Sequence, residues 1–123
     1  MLRDDLQQVI PGIQRLADTP LRIRLYVSER FVGNATAWDV NGQAVEIVAS
    51  GKDTDVALAL HVAQLPLSIK TIILLSGDAD LVPLVQQAKE KGRKTLVVAS
   101  RPAASVRLIR AADQFISLNT LLP

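Results

Sequence analysis

The stretch TIILLSGDAD, residues 71–80, decides the fold class of this chain. Its first five residues are apolar or β-branched, and it ends in a polar turn that contains a glycine and two aspartates. A short unbroken apolar run is typical of a strand buried on both faces, as in a parallel sheet. The run TLVVA, residues 95–99, repeats this pattern. We therefore expect a parallel sheet, with residues 76–80 at the carboxyl end of one strand.

Strand and helix signals alternate along the chain from residue 44 onward. Strands are predicted at 44–49, 71–75, 94–99 and 115–118, and helices at 53–64, 81–91 and 103–112. This βαβαβαβ order predicts an α/β fold, a three-layer sandwich in which helices cover a mostly parallel sheet of four or five strands. The 123 residues show no linker or repeat, which predicts a single domain over residues 1–123.

The segment that precedes this alternation is less regular. Residues 2–17 have helical spacing of apolar side chains, but Pro11-Gly12 is expected to kink or divide the helix. Residues 21–27 alternate apolar and basic side chains and predict a strand with one wet face. Residues 31–43 are rich in glycine and asparagine and predict a loop or a hairpin.

Composition narrows the function classes. The chain has no cysteine, which excludes disulfides and thiolate metal sites. Its first residues, MLRDD, show no cleavable signal, so a cytoplasmic protein is predicted. Residues 89–110 contain seven basic residues and one acid, a net charge of +6, whereas the rest of the chain has a net charge of −4. A basic half of this kind suits a phosphate backbone, and it equally suits ordinary solvated helix and loop positions.

Three acids have the placement of a metal site. Asp78 and Asp80 follow a predicted strand, and Asp55 opens the preceding helix. Ligands of open parallel sheets bind outside the carboxyl ends of the strands, and clustered carboxylates favour a hard cation such as Mg²⁺ or Mn²⁺. Each acid also has an ordinary explanation: Asp80 as the cap of the next helix, Asp78 as a turn residue, and Asp55 beside the positive end of its own helix. Both interpretations remain open at this point.

Four segments resemble NYN domains of the PIN-like nuclease fold, and the LabA-like group in particular. GKDTDVALAL, residues 51–60, is similar to the family's Lys-x-x-Asp-Val-x-Leu helix start, and SGDADLVP, residues 76–83, resembles its Ser-Gly-Asp-x-Asp-Phe-x-Pro signature. GRKTLVV, residues 92–98, resembles the strand that follows, and AADQFISL, residues 111–118, resembles the closing Ala-Asp-x-Phe strand. The likeness spans residues 21–118.

This resemblance implies a PIN-like sheet, a divalent cation and cleavage of RNA. Asp55, Asp78 and Asp80 match acids of the family and are the expected catalytic residues and metal ligands for Mg²⁺ or Mn²⁺. The expected contacts to RNA come from basic residues at Lys52, Arg101, Arg107 and Arg110. The alternative is a module that kept the fold, lost the chemistry, and binds RNA or protein without turnover; a phosphatase-like enzyme ranks last because no Gly-rich phosphate loop is present.

The sequence departs from the family pattern at its start. The family usually opens with a central strand that ends in an Asp-Gly-x-Asn-like motif and supplies a metal ligand, whereas only Met1-Leu2 precede the first predicted helix here. His61 also stands where many relatives have an acid. A sheet without its first central strand has exposed edges. Three arrangements are open: a longer protein with an internal Met at position 1, direct pairing of strand 22–27 with strand 71–75, or a homodimer that completes or covers the edge.

Overall fold

The chain forms helices, one mixed sheet and one parallel sheet in a computed structural model that describes residues 2–16, 23–28, 37–40, 43–50, 54–101 and 104–121. Side chains are described at 7–16, 39, 58–101 and 104–121. The backbone divides into two compact units, the first comprising residues 1–57 and 121–123, the second residues 58–120. The α/β fold class predicted from the sequence is confirmed. The prediction of one domain, and of a single sheet of four or five strands, stays a prediction.

Among the residues that the structure describes, the first unit contains one complete helix and three strands. They are α1 (Leu2–Leu16), β1 (Ile23–Ser28), β2 (Ala37–Val40) and β3 (Gln43–Ser50). β3 lies in the middle, parallel to β1 and antiparallel to β2. The hairpin predicted within residues 31–43 is therefore present, with its second strand beginning at Gln43. Helix α2 (Thr54–Ala63) starts in this unit and ends in the second.

Helix α1 is not divided at Pro11-Gly12, so of the two predicted effects, a kink or a division, the division does not occur. One helix continues through Pro11 to Leu16. Gly12 serves packing instead, because a Cβ atom at this position would lie only 2.7 Å from the main-chain oxygen of Leu121. Gly12 thus allows the helix and the backbone at Leu121 to approach within a distance that no larger residue permits.

The second unit holds a fully parallel sheet. Its elements are β4 (Thr71–Leu75), a 3-10 helix (Ala79–Leu81), α3 (Val82–Glu90), β5 (Lys94–Ala99), α4 (Val106–Ala111), β6 (Gln114–Ser117) and a second 3-10 helix (Leu118–Thr120). The strand order is β4-β5-β6, with Leu74 opposite Val97 and Val97 opposite Phe115. The predicted strands at 71–75 and 94–99 agree with the structure at both ends, and the predicted helix at 103–112 is shorter.

One apolar cluster forms the core of the second unit. Val85, Val97 and Leu108 lie at its centre and are fully buried. Side chains of α2, α3 and α4 pack with those of β4 and β5 in the same cluster. Within the described part of the chain, no helix is both long and apolar enough to cross a bilayer.

The end of α3 directs a charged side chain into this unit. The Gly92 main-chain N–H donates to Lys89 O (2.9 Å) and the Arg93 N–H donates to Ala88 O (2.9 Å), and Gly92 has φ +75°. This pair of bonds is the Schellman termination, which favours glycine because L-residues with a Cβ rarely adopt a positive φ. The chain reverses there, and the next side chain, Arg93, is only 4% exposed.

The buried Arg93 guanidinium binds the main chain around the end of α2. Its Nε donates to Ile69 O (3.1 Å), Nη1 to Val62 O (3.2 Å), and Nη2 to Leu65 O (2.7 Å) and Pro66 O (3.1 Å). The last carbonyl groups of a helix have no partner within the helix, and leaving them buried without one is costly. Arg93 therefore caps α2 from a site 24 to 31 residues away in sequence.

Asp113 has a comparable structural role between β5 and β6. Its carboxylate Oδ2 accepts from the Thr95 main-chain N–H (2.8 Å), and its own N–H donates to Thr95 O (3.0 Å). These two bonds continue the β5–β6 ladder by one position toward the amino ends of the strands. The aspartate of the Ala-Asp-x-Phe segment thus sets strand register at the edge opposite to the carboxyl ends of the strands.

Substitution Arg93→Lys is expected to lower the free energy of unfolding by about 3 kcal/mol, because a single ammonium group cannot reach carbonyls spread over residues 62–69. Urea denaturation followed by circular dichroism measures the change. Lys94→Gln is the matched control: Lys94 is exposed, and its loss is expected to change stability by less than about 0.5 kcal/mol. Equal stability of Arg93→Lys and the parent protein would contradict the capping role.

Substitution Thr95→Val is expected to raise the free energy of unfolding by about 1 kcal/mol. The Thr95 side chain is fully buried, and its hydroxyl has no hydrogen-bond partner among the described residues. Valine has nearly the same shape and leaves the main-chain bonds to Asp113 intact. Thr71→Val, at an exposed threonine of β4, is the control, with little change expected. A clear loss of stability in Thr95→Val would show that the hydroxyl has a partner.

Candidate metal and nucleic-acid site

The turn after β4 is held by hydrogen bonds of its own. The Asp78 main-chain N–H donates to Ser76 Oγ (3.2 Å), the Asp80 N–H donates to Asp78 Oδ1 (2.9 Å), and the Leu81 N–H donates to Asp78 O (3.1 Å). Asp78 is thus the N-cap of the 3-10 helix that leads into α3. These bonds fix the backbone of the Ser-Gly-Asp-Ala-Asp turn and one oxygen of the Asp78 carboxylate.

The two aspartates of this turn therefore have different local roles. The explanation of Asp78 as a turn residue is confirmed, whereas the explanation of Asp80 as a helix cap is wrong, since α3 begins without a side-chain cap. The Asp80 carboxylate lies in the first turn of the 3-10 helix and is exposed, as is Asp78. Within the described part of the chain, neither carboxylate forms an ion pair. Both can accept an external cation.

The loop after β5 meets the loop after β4. The Ser105 main-chain N–H donates to Gly77 O (2.9 Å), and the Ala104 N–H donates to Ser100 O (3.0 Å). Both loops leave the parallel sheet at the carboxyl ends of neighbouring strands, the edge where such sheets bind ligands. Arg101 is the second residue after β5, so the structure brings a predicted RNA-binding residue to the same edge as Asp78 and Asp80.

The predicted basic residues differ in how they are held. The Arg101 side chain is exposed, and its guanidinium carbon lies over the Phe115 ring, 5.0 Å from the ring centroid. Arg107 and Arg110 are exposed on α4, in its first and last turns. Arg110 lies about 4.5 Å further along the helix axis than Arg107, away from the carboxyl ends of the strands. Phe115 was not among the residues that sequence reasoning selected.

Other predicted site residues lie partly or wholly outside the described residues. Lys52 belongs to residues 51–53, which the structure does not describe. Asp55 occupies the second position of α2, and its side chain is outside the described set. Its participation in the site stays a prediction. His61, near the other end of α2, is half-buried and has an interaction partner.

The chemistry of the donor set fits a hard divalent cation. Asp78 and Asp80 supply carboxylate oxygens, the ligand type that Mg²⁺ and Mn²⁺ prefer, and two carboxylates leave room for the waters that Mg²⁺ retains. Among the side chains that the structure describes, no three acids or histidines come together in one group. The pair therefore fits a partly hydrated ion, and Asp55 remains the predicted third ligand.

Comparison with known proteins identifies the family. The NYN domain family model matches residues 3–119. An uncharacterized protein of Methanocaldococcus jannaschii is 27% identical over 117 residues, which cover 94% of this chain and 47% of that protein. The crystal structure of a protein of unknown function from Vibrio parahaemolyticus has a TM-score of 0.60 at 26% identity, covering 67% of this chain and 57% of that chain. The chain thus spans about half the length of these relatives.

The family match includes every segment that positions the acidic turn. Residues 3–119 contain the whole second unit except its last residue. They also contain α1 from Arg3 onward and strands β1, β2 and β3 of the first unit. A match of this extent, with a parallel α/β fold and the paired aspartates after β4, shows that the chain belongs to the NYN domain family, within the PIN-like nuclease superfamily.

Proposed function

We propose that this NYN domain is a ribonuclease that hydrolyses RNA phosphodiester bonds with bound Mg²⁺ or Mn²⁺. One observation carries the proposal: Asp78 and Asp80 are both exposed at the carboxyl end of β4, on a turn fixed by hydrogen bonds, with no ion pair among the described residues. Two like charges two residues apart on one turn favour a nearby cation. Family membership supports the same chemistry.

The proposed roles divide between acids and bases. Asp78 and Asp80, with Asp55 as a third ligand, hold the divalent ion, which supplies polarisation of the phosphodiester and stabilises charge on the leaving oxygen. The N–H of Asp80 holds one oxygen of Asp78 in place before any ligand arrives. Such preorganisation matters because misplaced ligands weaken metal affinity. Lys52, Arg101, Arg107 and Arg110 contribute contacts to the RNA backbone.

The alternative is an NYN domain that binds RNA or a protein partner without cleaving it. The nuclease cleaves RNA and is stabilised by Mn²⁺, whereas the binding module does neither. One set of variants distinguishes the two. A cytoplasmic location and a homodimer that covers an exposed sheet edge are part of the same proposal and stay predictions.

The decisive variants are Asp78→Asn and Asp80→Asn. An asparagine at position 78 keeps an oxygen that accepts from the Asp80 N–H, so the turn is retained while the charge is lost. We expect each variant to cleave single-stranded and structured RNA at least about 100-fold more slowly than the parent protein in Mn²⁺. Glu90→Gln is the matched control, because Glu90 is an exposed acid at the far end of α3, and its cleavage rate should equal that of the parent protein.

A thermal-melting experiment complements the cleavage assay. Mn²⁺ is expected to raise the Tm of the parent protein and of Glu90→Gln, and to leave the Tm of Asp78→Asn unchanged, since only a cation bound to the folded state stabilises it. Parent protein that leaves all RNA uncut under conditions where a control nuclease is complete would overturn the nuclease proposal. If RNA binding persists in that case, the binding-module alternative replaces it.

A further inference from the structure

The structure assigns Arg101 and Phe115 to one subsite, which binds a backbone phosphate of RNA flanking the cleaved bond, and makes Phe115 the residue that positions Arg101. This inference rests on the proposed function, because it names a second phosphate contact of the same substrate. It starts from one contact: the Arg101 guanidinium carbon lies 5.0 Å from the centroid of the Phe115 ring. A cation at this distance over an aromatic face is attracted by the negative charge of the ring face.

Phe115 is a rigid support for this contact. It lies in β6 opposite Val97, and its ring packs against the core cluster of the second unit. A ring that is half-buried in the core has a fixed orientation, so the cation that lies over it is also restrained. A long exposed arginine loses rotamer freedom when it binds a ligand, and a side chain already restrained loses less.

The contact with Phe115 leaves N–H donors of Arg101 available. The donors of a guanidinium lie in its plane, where they match the oxygens of a phosphate. Within the described part of the chain, Arg101 forms no ion pair and no side-chain hydrogen bond. Arg107 and Arg110 have neither a ring partner nor a carboxylate partner there. Arg101 is thus both restrained and free to bind an anion.

The position of the stack separates its phosphate from the one beside the acids. The acids follow β4, whereas Phe115 lies in β6, two strands across the sheet. Neighbouring strands are about 4.8 Å apart, so the two places are separated by about 10 Å. The bond between Ser105 N and Gly77 O keeps the loops after β4 and β5 together. A single strand of RNA that crosses this edge therefore reaches Arg101 with a phosphate other than the one beside Asp78 and Asp80.

RNA binding is measured in the Asp78→Asn background, where the proposed function predicts cleavage at least about 100-fold slower than in the parent protein. The probe is a single-stranded RNA of about 12 nucleotides, with Kd measured over a series of KCl concentrations. Arg101→Gln and Phe115→Leu are each expected to weaken binding about fivefold and to reduce the slope of log Kd against log[KCl] by about 0.7, the value for one phosphate contact on a single strand. Phe115→Tyr keeps an aromatic face and should bind like the parent protein.

Two controls separate a phosphate contact from a general effect of folding or charge. Lys89→Gln removes one charge from an exposed residue in the last turn of α3, and both Kd and slope should be unchanged. Arg101→Gln combined with Phe115→Leu should be no weaker than either alone, because the two residues act as one unit. The Tm of each variant shows whether it folds, and Arg101→Gln, an exposed position, decides the question if Phe115→Leu does not fold.

The outcomes distinguish this inference from the proposed function. If the parent protein cleaves RNA and Arg101→Gln has the same KM and the same salt slope as the parent, the subsite is overturned and the nuclease proposal stands. Binding that depends on Arg101 and Phe115, in a protein that cuts no RNA, supports the subsite and removes the nuclease. If Arg101→Gln and Phe115→Leu each raise KM and leave kcat unchanged, and Phe115→Tyr has the KM of the parent protein, the result supports both the subsite and the nuclease. Failure of all variants and the parent protein to bind RNA overturns both.

Discussion

The buried guanidinium of Arg93 is the interaction on which the second unit depends. It joins the start of β5 to the end of α2 and to the loop that leads into β4, through four bonds to main-chain carbonyls. A buried charge without partners would destabilise the fold, and buried carbonyls without donors would do the same. Here the buried guanidinium and the buried carbonyls are hydrogen-bond partners, so each stabilises the other. The turn at Gly92 makes this possible, because it directs the next side chain inward rather than into solvent.

The contacts that fix the strands at the amino edge of the sheet also determine which side chains lie at its carboxyl edge. Asp113 and Arg93 fix the strands where they begin, which frees the opposite ends to form loops of functional residues. The loops after β4 and β5 then meet through the main-chain bond from Ser105 N to Gly77 O. In a parallel sheet all strands end at the same edge, so anchoring one end is enough to bring Asp78, Asp80 and Arg101 to the other.

The elements with a local sequence signal are the ones that could be predicted from the sequence. The apolar runs of β4 and β5 and the turn after β4 are each encoded within about ten residues, and their placement agrees with the structure. Whether Pro11 divides α1 could not be decided from the sequence, because tertiary packing can retain a helix across a proline. The role of Phe115 was missed because its partner is 14 residues away. Asp113 lies in a segment that was recognised, but its bonds to Thr95 depend on strand pairing, which composition does not reveal.

The charge of residues 89–110 illustrates why a count of basic residues overstates a binding surface. Arg93 is removed from the surface by main-chain carbonyls, and Lys91 Nζ donates to Ala63 O (3.3 Å) at the end of α2. Lys89 and Lys94 are exposed, but they flank the amino end of β5. Because β5 runs from one edge of the sheet to the other, the basic residues are separated by its length, about 20 Å for six residues. Arg101 is two residues beyond the carboxyl end of β5, on the side of the acids, and its guanidinium lies over the Phe115 ring.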